Sequence, residues 1–412
     1  MTVMNSSDIA ISPPAPAVFV LDRLRSAGYP AYLVGGCVRD ALMGRTPGDY
    51  DVTTAARPED MLRVFSDCRV VETGLKHGTL TVVREHMNIE VTTYRVDGTY
   101  SDGRRPDSVS FADRLSDDLS RRDFTVNAMA WAPGSPEEGG GLTDLFGGRA
   151  DLARRIIRCV GRAEERFSED GLRILRALRF ASVLDFSCDP ECAAAVRSMA
   201  PMLERISRER VYAELTRLLG GPAAGRILLD FPDVVSGVLP PLTPDAVTAA
   251  ARIFSGTDPR ALSPAVRYAV LFDSLTREDA SRAMDSLKPS RDEKRAVLSL
   301  LTHRENRDFD LYGLRVLMGD TDDAFPGELA LFLKLTGRVG AEEEERIAET
   351  VREILARDDC RRLNQLAVNG ADLGSLGIRG AGIGETLRRL LELVRRDELR
   401  NDRDALLKAA RL

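Results

Sequence analysis

Histidine and tryptophan are almost missing from this 412-residue chain, which holds three of the first and one of the second. His77, His86 and His303 have no metal-ligand spacing, so neither a histidine-held metal nor a histidine-dependent catalytic centre is expected. The six cysteines (Cys37, Cys68, Cys159, Cys188, Cys192, Cys360) include no CxxC pair and read as ordinary thiols of a reducing compartment. No apolar run approaches the roughly 18–20 residues that a membrane span needs. The short apolar stretch "AVFVL" near the N-terminus has no basic segment before it, so no signal peptide is read and a cytoplasmic protein is expected. An excess of positive charge is also lacking: 58 Lys and Arg against 64 Asp and Glu give a net charge of −6, which argues against indiscriminate nucleic-acid binding.

What is present is a globular composition, with 43% hydrophobic and 30% charged residues. The length implies several domains. Residues 1–16 are polar and proline-rich and read as a flexible N-terminus. From Ala17 to about Arg149 helical and strand patterns alternate. "AYLVGG" and "DYDVTT" read as strands, "PEDMLRVFSD" as a helix with proline in its first turn, and "GTLTVVREHMNIEVTTYR" as two strands joined by a polar turn. Beyond that point amphipathic helical patterns dominate, as in "DGLRILRALRFASVL", "RERVYAELTRLL" and "GETLRRLLELVRRDEL". The glycine-rich run "PGSPEEGGGLTDLFGG" between the two regions reads either as a surface loop or as a turn and hinge. Locally the charge balance reverses, with nine arginines against five acids between Arg149 and Phe180.

One constellation carries chemistry. Gly35 and Gly36 end a strand and open a short helix, where backbone amides and the helix dipole favour a phosphate. Asp49 and Asp51 then fall two residues apart in a strand-like run, so their carboxylates share a face while Tyr50 and Val52 point the other way. Adjacent carboxylates repel unless a proton or cation sits between them. Magnesium favours such carboxylates together with phosphate oxygens, and two such ions can activate a hydroxyl and neutralise a leaving pyrophosphate. Glu90, on the strand "NIEVTTYR", is the candidate third acid. Taken singly, each piece also fits a plainer role: a turn, capping aspartates, a solvent-facing glutamate.

Taken together, Gly35-Gly36, Val38-Arg39-Asp40 and Asp49-Tyr50-Asp51 resemble the class II tRNA nucleotidyltransferases (the CCA-adding enzymes) and the related bacterial poly(A) polymerases. The similarity continues in order through "LKHGTLTVV", "DLSRRDFTVNAMAW", "DLFGGRADLARRIIRCVG", "RFSEDGLRILRALRFA" and "ISRERVYAELTRLL". It ends with "LAVNGADLGSLGIRGAGIGETLRRLL", so that it covers nearly the whole chain from about residue 20.

The resemblance implies an α+β fold: a small mixed α/β nucleotidyltransferase head at 17–148, then a helical neck (149–220), body (221–330) and tail (331–412). It implies template-independent addition of C, C and A to the 3′ end of tRNA from CTP and ATP, with two magnesium ions at Asp49 and Asp51 and help from Glu90. Nucleotide contacts are implied for Gly35, Gly36, Arg39, Arg121, Arg122, Asp123, Asn127, Asp170, Arg173, Arg176 and Arg179, with Asp123 reading the ribose hydroxyl. Glu169, Asp170 and Arg173 would select the base. Cytosine and adenine each carry an amino group beside an acceptor nitrogen on the pairing edge, whereas uracil and guanine do not. Glu169 and Arg173 are also at the i,i+4 spacing of a routine helix salt bridge. The polar loop 95–112, with Tyr100, Asp102, Arg104 and Arg105, would be the flexible loop needed to pass from C to A addition. The helical remainder would grip the acceptor and TΨC side of tRNA, with no membrane partner, through salt-sensitive phosphate contacts. Three alternatives stay open: an A-adding enzyme with a separate CC-adding partner, a poly(A) polymerase, and a non-catalytic RNA-binding protein. Oligomeric state is not readable from the residues.

Overall fold

The computed structural model describes residues 11–97, 109–134 and 140–411. Two compact units divide the chain at Ala251 and Arg252. The loop residues Tyr100, Asp102, Arg104 and Arg105 lie outside the described residues.

The first unit opens with helix α1 (Ala15–Ser26) and strand β1 (Ala31–Val34). Helix α2 (Gly36–Leu42), strand β2 (Tyr50–Thr54), helix α3 (Pro58–Val64) and strands β3 (Arg69–Val71), β4 (Thr79–Arg84) and β5 (Met87–Thr93) follow. A short antiparallel ribbon, β6 (Arg95–Asp97) with β7 (Val109–Phe111), precedes helix α4 (Leu115–Ser120) and strands β8 (Met129–Ala132) and β9 (Gly141–Asp144). Seven of these strands form one sheet in the order β3-β4-β5-β2-β1-β8-β9, mixed because β2 and β5 run parallel. The α/β head and the helices after it make the α+β architecture expected from the sequence. The β4–β5 hairpin turns at Glu85 (φ 50°) and His86 (φ 64°), both left-handed, as a primed two-residue turn requires. Strand β9 was not expected; it lies inside the glycine-rich run, at the sheet edge, where its four residues show no alternating burial to betray it.

Alternation sorts the sheet faces. Leu33, Val52, Leu80, Val82, Ile89 and Val91 enter the main apolar core with Val20, Leu21 and Leu24 of α1 and Met61 of α3. On the opposite face Val34 and Ala130 pack with Leu119 of α4, and Asp51 pairs in register with Val34 on one side and Glu90 on the other. Strand β2 is thereby paired along both edges, and Asp51 stays half-buried while Thr53 and Thr54 are buried.

Helices α5 (Gly148–Arg154), α6 (Ala163–Glu169), α7 (Leu172–Leu184), α8 (Pro190–Ser198) and α9 (Arg208–Leu219) continue the unit, with a two-residue ladder of β10 (Ile156–Ile157) and β11 (Ser187–Cys188) among them. Helix α7 is nearly all buried, and Ser182 near its end donates to the carbonyl of Leu218 near the end of α9 at 2.7 Å. Further α-helices run from Ala224–Asp230 to Arg403–Ala410. The second unit has its own apolar cluster, including Leu373, Leu390 and Leu406. No described helix is long and apolar enough to cross a membrane.

The α7–α9 approach depends on the glycine that follows α9. A Cβ at Gly221 would lie 2.6 Å from the carbonyl carbon and 2.7 Å from the carbonyl oxygen of Ser182, backbone atoms that cannot swing aside. Gly221→Ala is expected to cost about 1–3 kcal/mol, as overpacked cores do, and to lower the melting temperature by several degrees in a thermal unfolding scan.

Candidate active site

The turn after β1 fixes the first wall of the site. Gly35 has φ 76° and ψ −130°, a conformation reserved for glycine. A Cβ there would meet Nη1 of Arg122 at 3.1 Å, so the bare backbone also makes room for that guanidinium. Gly36 begins α2.

Asp49 is exposed just before β2 and Asp51 is half-buried within it, while Tyr50 and Val52 between and beyond them are buried, as the alternation predicts. Exposed Glu90 stands opposite Asp51 on the neighbouring parallel strand. Partial burial, and then the charges of Asp49 and Glu90, push the Asp51 carboxyl up to about 6, against the opposing pull of Arg122. Among the described residues no three acidic, histidine or cysteine side chains converge into a ready-made metal cage. That agrees with the donor chemistry. Magnesium is ordinarily held by one or two carboxylates plus substrate phosphates, and a carboxylate pair that raises its own pKa gains from a divalent ion. The residues present therefore fit such an ion at Asp49 and Asp51, with Glu90 close enough in charge to be felt.

The basic motif residues are held from below. Asp118 of α4 is fully buried; Arg121 reaches its Oδ1 with Nε at 3.0 Å and Nη2 at 2.7 Å, and Arg122 reaches its Oδ2 at 3.2 Å. Thr53 of β2 donates to the same Oδ2 at 3.1 Å, tying this cluster to the strand of Asp51. Burial alone would raise the Asp118 carboxyl, but Arg122 and Arg121 outweigh it and hold it low. Nε of Arg122 is buried without a hydrogen-bond partner. The i,i+3 and i,i+4 spacing of Asp118 to the two arginines was a legible signal that the sequence reading passed over.

Arg39 is buried and points inward. Its Nη1 donates to Oδ1 of Asn127 at 2.7 Å, its Nε to Oδ1 of Asp40 at 2.9 Å, and its guanidinium lies 5.3 Å from the Phe180 ring centre. Asn127 donates to Oδ1 of Asp123 at 3.3 Å. Oδ2 of Asp123 accepts from Nε and Nη2 of Arg176, on α7, at 2.8 and 2.6 Å. Burial pushes the Asp123 carboxyl up, but Arg176 and Arg173 more than offset it and hold it at about 2. Arg179, one turn on, donates from Nε to Glu214 of α9 at 2.8 Å and lies over Phe180.

The Glu169-Asp170-x-x-Arg173 segment is equally engaged. Arg173 bonds Glu169, as helical spacing suggests, and its Nη2 reaches the Arg121 carbonyl at 3.0 Å. Oδ1 of Asp170 caps α7 by accepting from the Leu172 amide at 3.0 Å, and Oδ2 accepts from Arg210 of α9 at 2.7 Å. Thus head and α7 residues singled out from the sequence form one connected polar cluster. Asp118, Phe180, Arg210 and Glu214 belong to it too and were not singled out. Elsewhere, a cavity of about 430 Å³ in the second unit is lined by Arg277, Arg291, Lys294 and Arg295, with no carboxylate to hold a cation.

Comparison with known proteins adds the family. Residues 31–158 match the model of the poly A polymerase head domain, and residues 185–233 match that of a probable RNA and SrmB-binding site of polymerase A. The CCA-adding enzyme of Geobacillus stearothermophilus is 49% identical over 212 residues, 52% of this chain, so that the match spans about half (51%) of that relative's length. The CCA-adding enzyme of Leuconostoc mesenteroides is 36% identical over 95% of this chain and 94% of its own. The crystal structure of the Bacillus stearothermophilus CCA-adding enzyme in complex with CTP superposes with a TM-score of 0.84 at 31% identity, covering 97% of this chain and 98% of that one.

The raised Asp51 carboxyl has a consequence for stability. A carboxyl with a higher pKa folded than unfolded weakens the fold as pH rises from its ordinary 3.8 through about 6, and fully above that. Asp51→Asn is therefore expected to raise the melting temperature of the metal-free protein above that window and to leave it unchanged below 3.8. Thermal scans across pH in the presence of a chelator would measure it.

Proposed function

The chain belongs to the CCA-adding enzyme family, and from that premise we propose that it adds C, C and A to the 3′ end of tRNA, using CTP and ATP and no nucleic-acid template. The observation that carries the reading is the half-buried Asp51 between Asp49 and Glu90, facing a turn lined by Gly35 and Arg122. In this reading the protein is cytoplasmic, 17–148 is the catalytic head, 149–220 the neck that reads the nucleotide, and 221–330 and 331–412 the body and tail that hold tRNA.

Nucleotidyltransferases of this family use divalent metals. Asp49 and Asp51, with Glu90 alongside, would hold two magnesium ions, which would lower the charge of the triphosphate and the pKa of the tRNA 3′ hydroxyl. The chain's own residues do the rest. Gly35 and Gly36 let the triphosphate approach the backbone, and Arg122, held by Asp118, offers a fixed positive charge beside it. In this reading Asp123 meets the ribose hydroxyl by exchanging one of its present donors, because Arg176, Asn127 and the Phe124 amide already take two acceptor positions on each oxygen. Asp170 accepts from the exocyclic amino group of cytosine or adenine, and Arg173, locked by Glu169, offers its remaining N–H to the adjacent ring nitrogen. Uracil and guanine leave those groups unpaired, which costs binding.

The test uses purified protein, magnesium and tRNA transcripts ending at the discriminator base, at C and at CC, given CTP, ATP or both. Addition of CC from CTP, then one A and a stop, is expected. Addition of A to the CC transcript alone would make it an A-adding enzyme, long A tracts a poly(A) polymerase, and no incorporation would refute the catalytic reading. Asp49→Asn and Asp51→Asn are each expected to cut the rate by about a thousandfold or more, the effect of several kcal/mol of lost charge stabilisation, with the circular dichroism spectrum unchanged.

A further inference from the structure

Three of the six cysteines, unremarkable in their spacing, meet in space as free thiols. Cys159 follows β10, Cys188 ends β11, and Cys192 lies in the first turn of α8. The β10–β11 ladder sets Ile157 beside Cys188, and the Asp189 amide donates to the Ile157 carbonyl at 2.9 Å, which pins the turn into α8. Sγ of Cys159 stands 4.0 Å from Sγ of Cys192, and the Cys188 thiol is also within hydrogen-bonding reach of Cys192. Cys192 is therefore the thiol that the other two share. It is buried, as is Cys159, whereas Cys188 is partly exposed. Hydrogen bonds with Cys159 and Cys188, and then burial, push the Cys192 thiol up, so at rest it stays protonated and is not the sulfur that meets a reagent from solvent.

The cluster is bonded through the backbone to the segment of Asp123. Cys159 forms an antiparallel bridge with Phe124: the Thr125 amide donates to the Arg158 carbonyl at 2.9 Å, and the Val160 amide donates to the Asp123 carbonyl at 3.1 Å. A shift of Cys159 toward Cys192 therefore pulls on both neighbours of Phe124, one of which is Asp123. Cys68 makes the contrast. It is half-buried too, but its sulfur lies against the carboxylate of Asp67 at 3.6 Å rather than against another thiol.

We propose that Cys159, Cys188 and Cys192 form an oxidation site that takes hydroperoxides and stores the result as an internal disulfide beside the Asp123 segment. The Cys188 sulfur attacks one peroxide oxygen and the O–O bond breaks, leaving a sulfenic acid on Cys188 while the other oxygen leaves as alcohol or water. The Cys192 sulfur then displaces the sulfenic hydroxyl, which departs as water with the Cys192 proton, and the Cys188–Cys192 disulfide forms. Two electrons have passed from two sulfurs to the peroxide. Cys159 next displaces Cys188 from Cys192, its proton passing to the released Cys188 thiol, so the disulfide moves to the buried Cys159–Cys192 pair with no further redox change. A disulfide bond is about 2.0 Å long, so closure draws these two sulfurs in from 4.0 Å. Disulfides in a reducing compartment are typically transient and redox-sensing. The chemistry stands on the thiols alone; its effect on activity rests on the reading of Asp123 as the ribose contact.

The experiment treats the full-length protein with hydrogen peroxide, blocks the remaining thiols by alkylation, and maps linked cysteine peptides by mass spectrometry with and without dithiothreitol. A reducible Cys159–Cys192 link is expected in the parent and a Cys188–Cys192 link in Cys159→Ala. Cys192→Ala should form no internal link, and Cys188→Ser should lose most of the link at the same exposure. Cysteine peptides recovered unlinked from the parent, oxidation confined to Cys68, or full linkage in Cys188→Ser would each overturn the proposal. Should Cys192→Ala not fold in a thermal melting check, Cys159→Ala and Cys188→Ser carry the same comparison. The oxidised parent is expected to show KM for CTP and for ATP each raised about tenfold, the loss of one hydrogen bond, with the ratio between them unchanged because the ribose is common to both. Dithiothreitol should restore both values. An unmoved KM beside a mapped Cys159–Cys192 link would support the oxidation site and remove the reading of Asp123 instead.

Discussion

The contact on which the first unit depends is the pair of buried Asp123 and half-buried Arg176. It joins the turn before β8 to the middle of α7, and both Arg176 nitrogens converge on one carboxylate oxygen while the other is held by Asn127 and the Phe124 amide. From it the network runs back through Asn127 to Arg39 and the helix after the glycine turn, and forward through Glu214 to Arg179. Such a pair is not chosen for stability alone, since an apolar pair of equal volume often does as well. Removing one partner, however, strands a charge at a cost of about 3–5 kcal/mol. The result is that α7 and the sheet are locked in one relative geometry. Base-reading and phosphate-reading groups lie on different elements, so that geometry is what lets them act on one nucleotide in the proposed reaction.

Opposite balances hold at two nearby carboxyls. Asp123 is surrounded by arginines and stays ionised well below the usual range, whereas Asp51 faces other acids and is pushed up. Burial acts in the same direction on both; the neighbours decide the sign. The charged groups are thus divided into a satisfied internal frame and an unsatisfied face on β2. Arg122 belongs to both, because it is tied to Asp118 yet opposes the charge of Asp51. Most arginines in the motifs are part of the frame, each tied to a carboxylate.

Much of this was legible in the residues. Period-two alternation located β2 and β5, proline marked the start of α3, and the amphipathic runs became α7 and α9. The short strand β9 escaped because four residues in a glycine-rich run carry no period. Glu90 could be named as a candidate, but its place opposite Asp51 required two strands whose partners lie 39 residues apart in the chain to pair in parallel, and no local pattern states that register.

By itself the sequence determined the order of elements and the face on which Asp49 and Asp51 project, because each follows from spacing along a single segment, and the family to which the chain belongs, because the motifs recur in order along the chain. The tertiary structure alone decided the partners: Asp123 with Arg176, Asp170 with Arg210, Arg39 with Asn127, Arg179 with Glu214. Charge is visible in a sequence, but what a charge does depends on which opposite charge is buried beside it, and that choice is made by packing elements far apart in the chain.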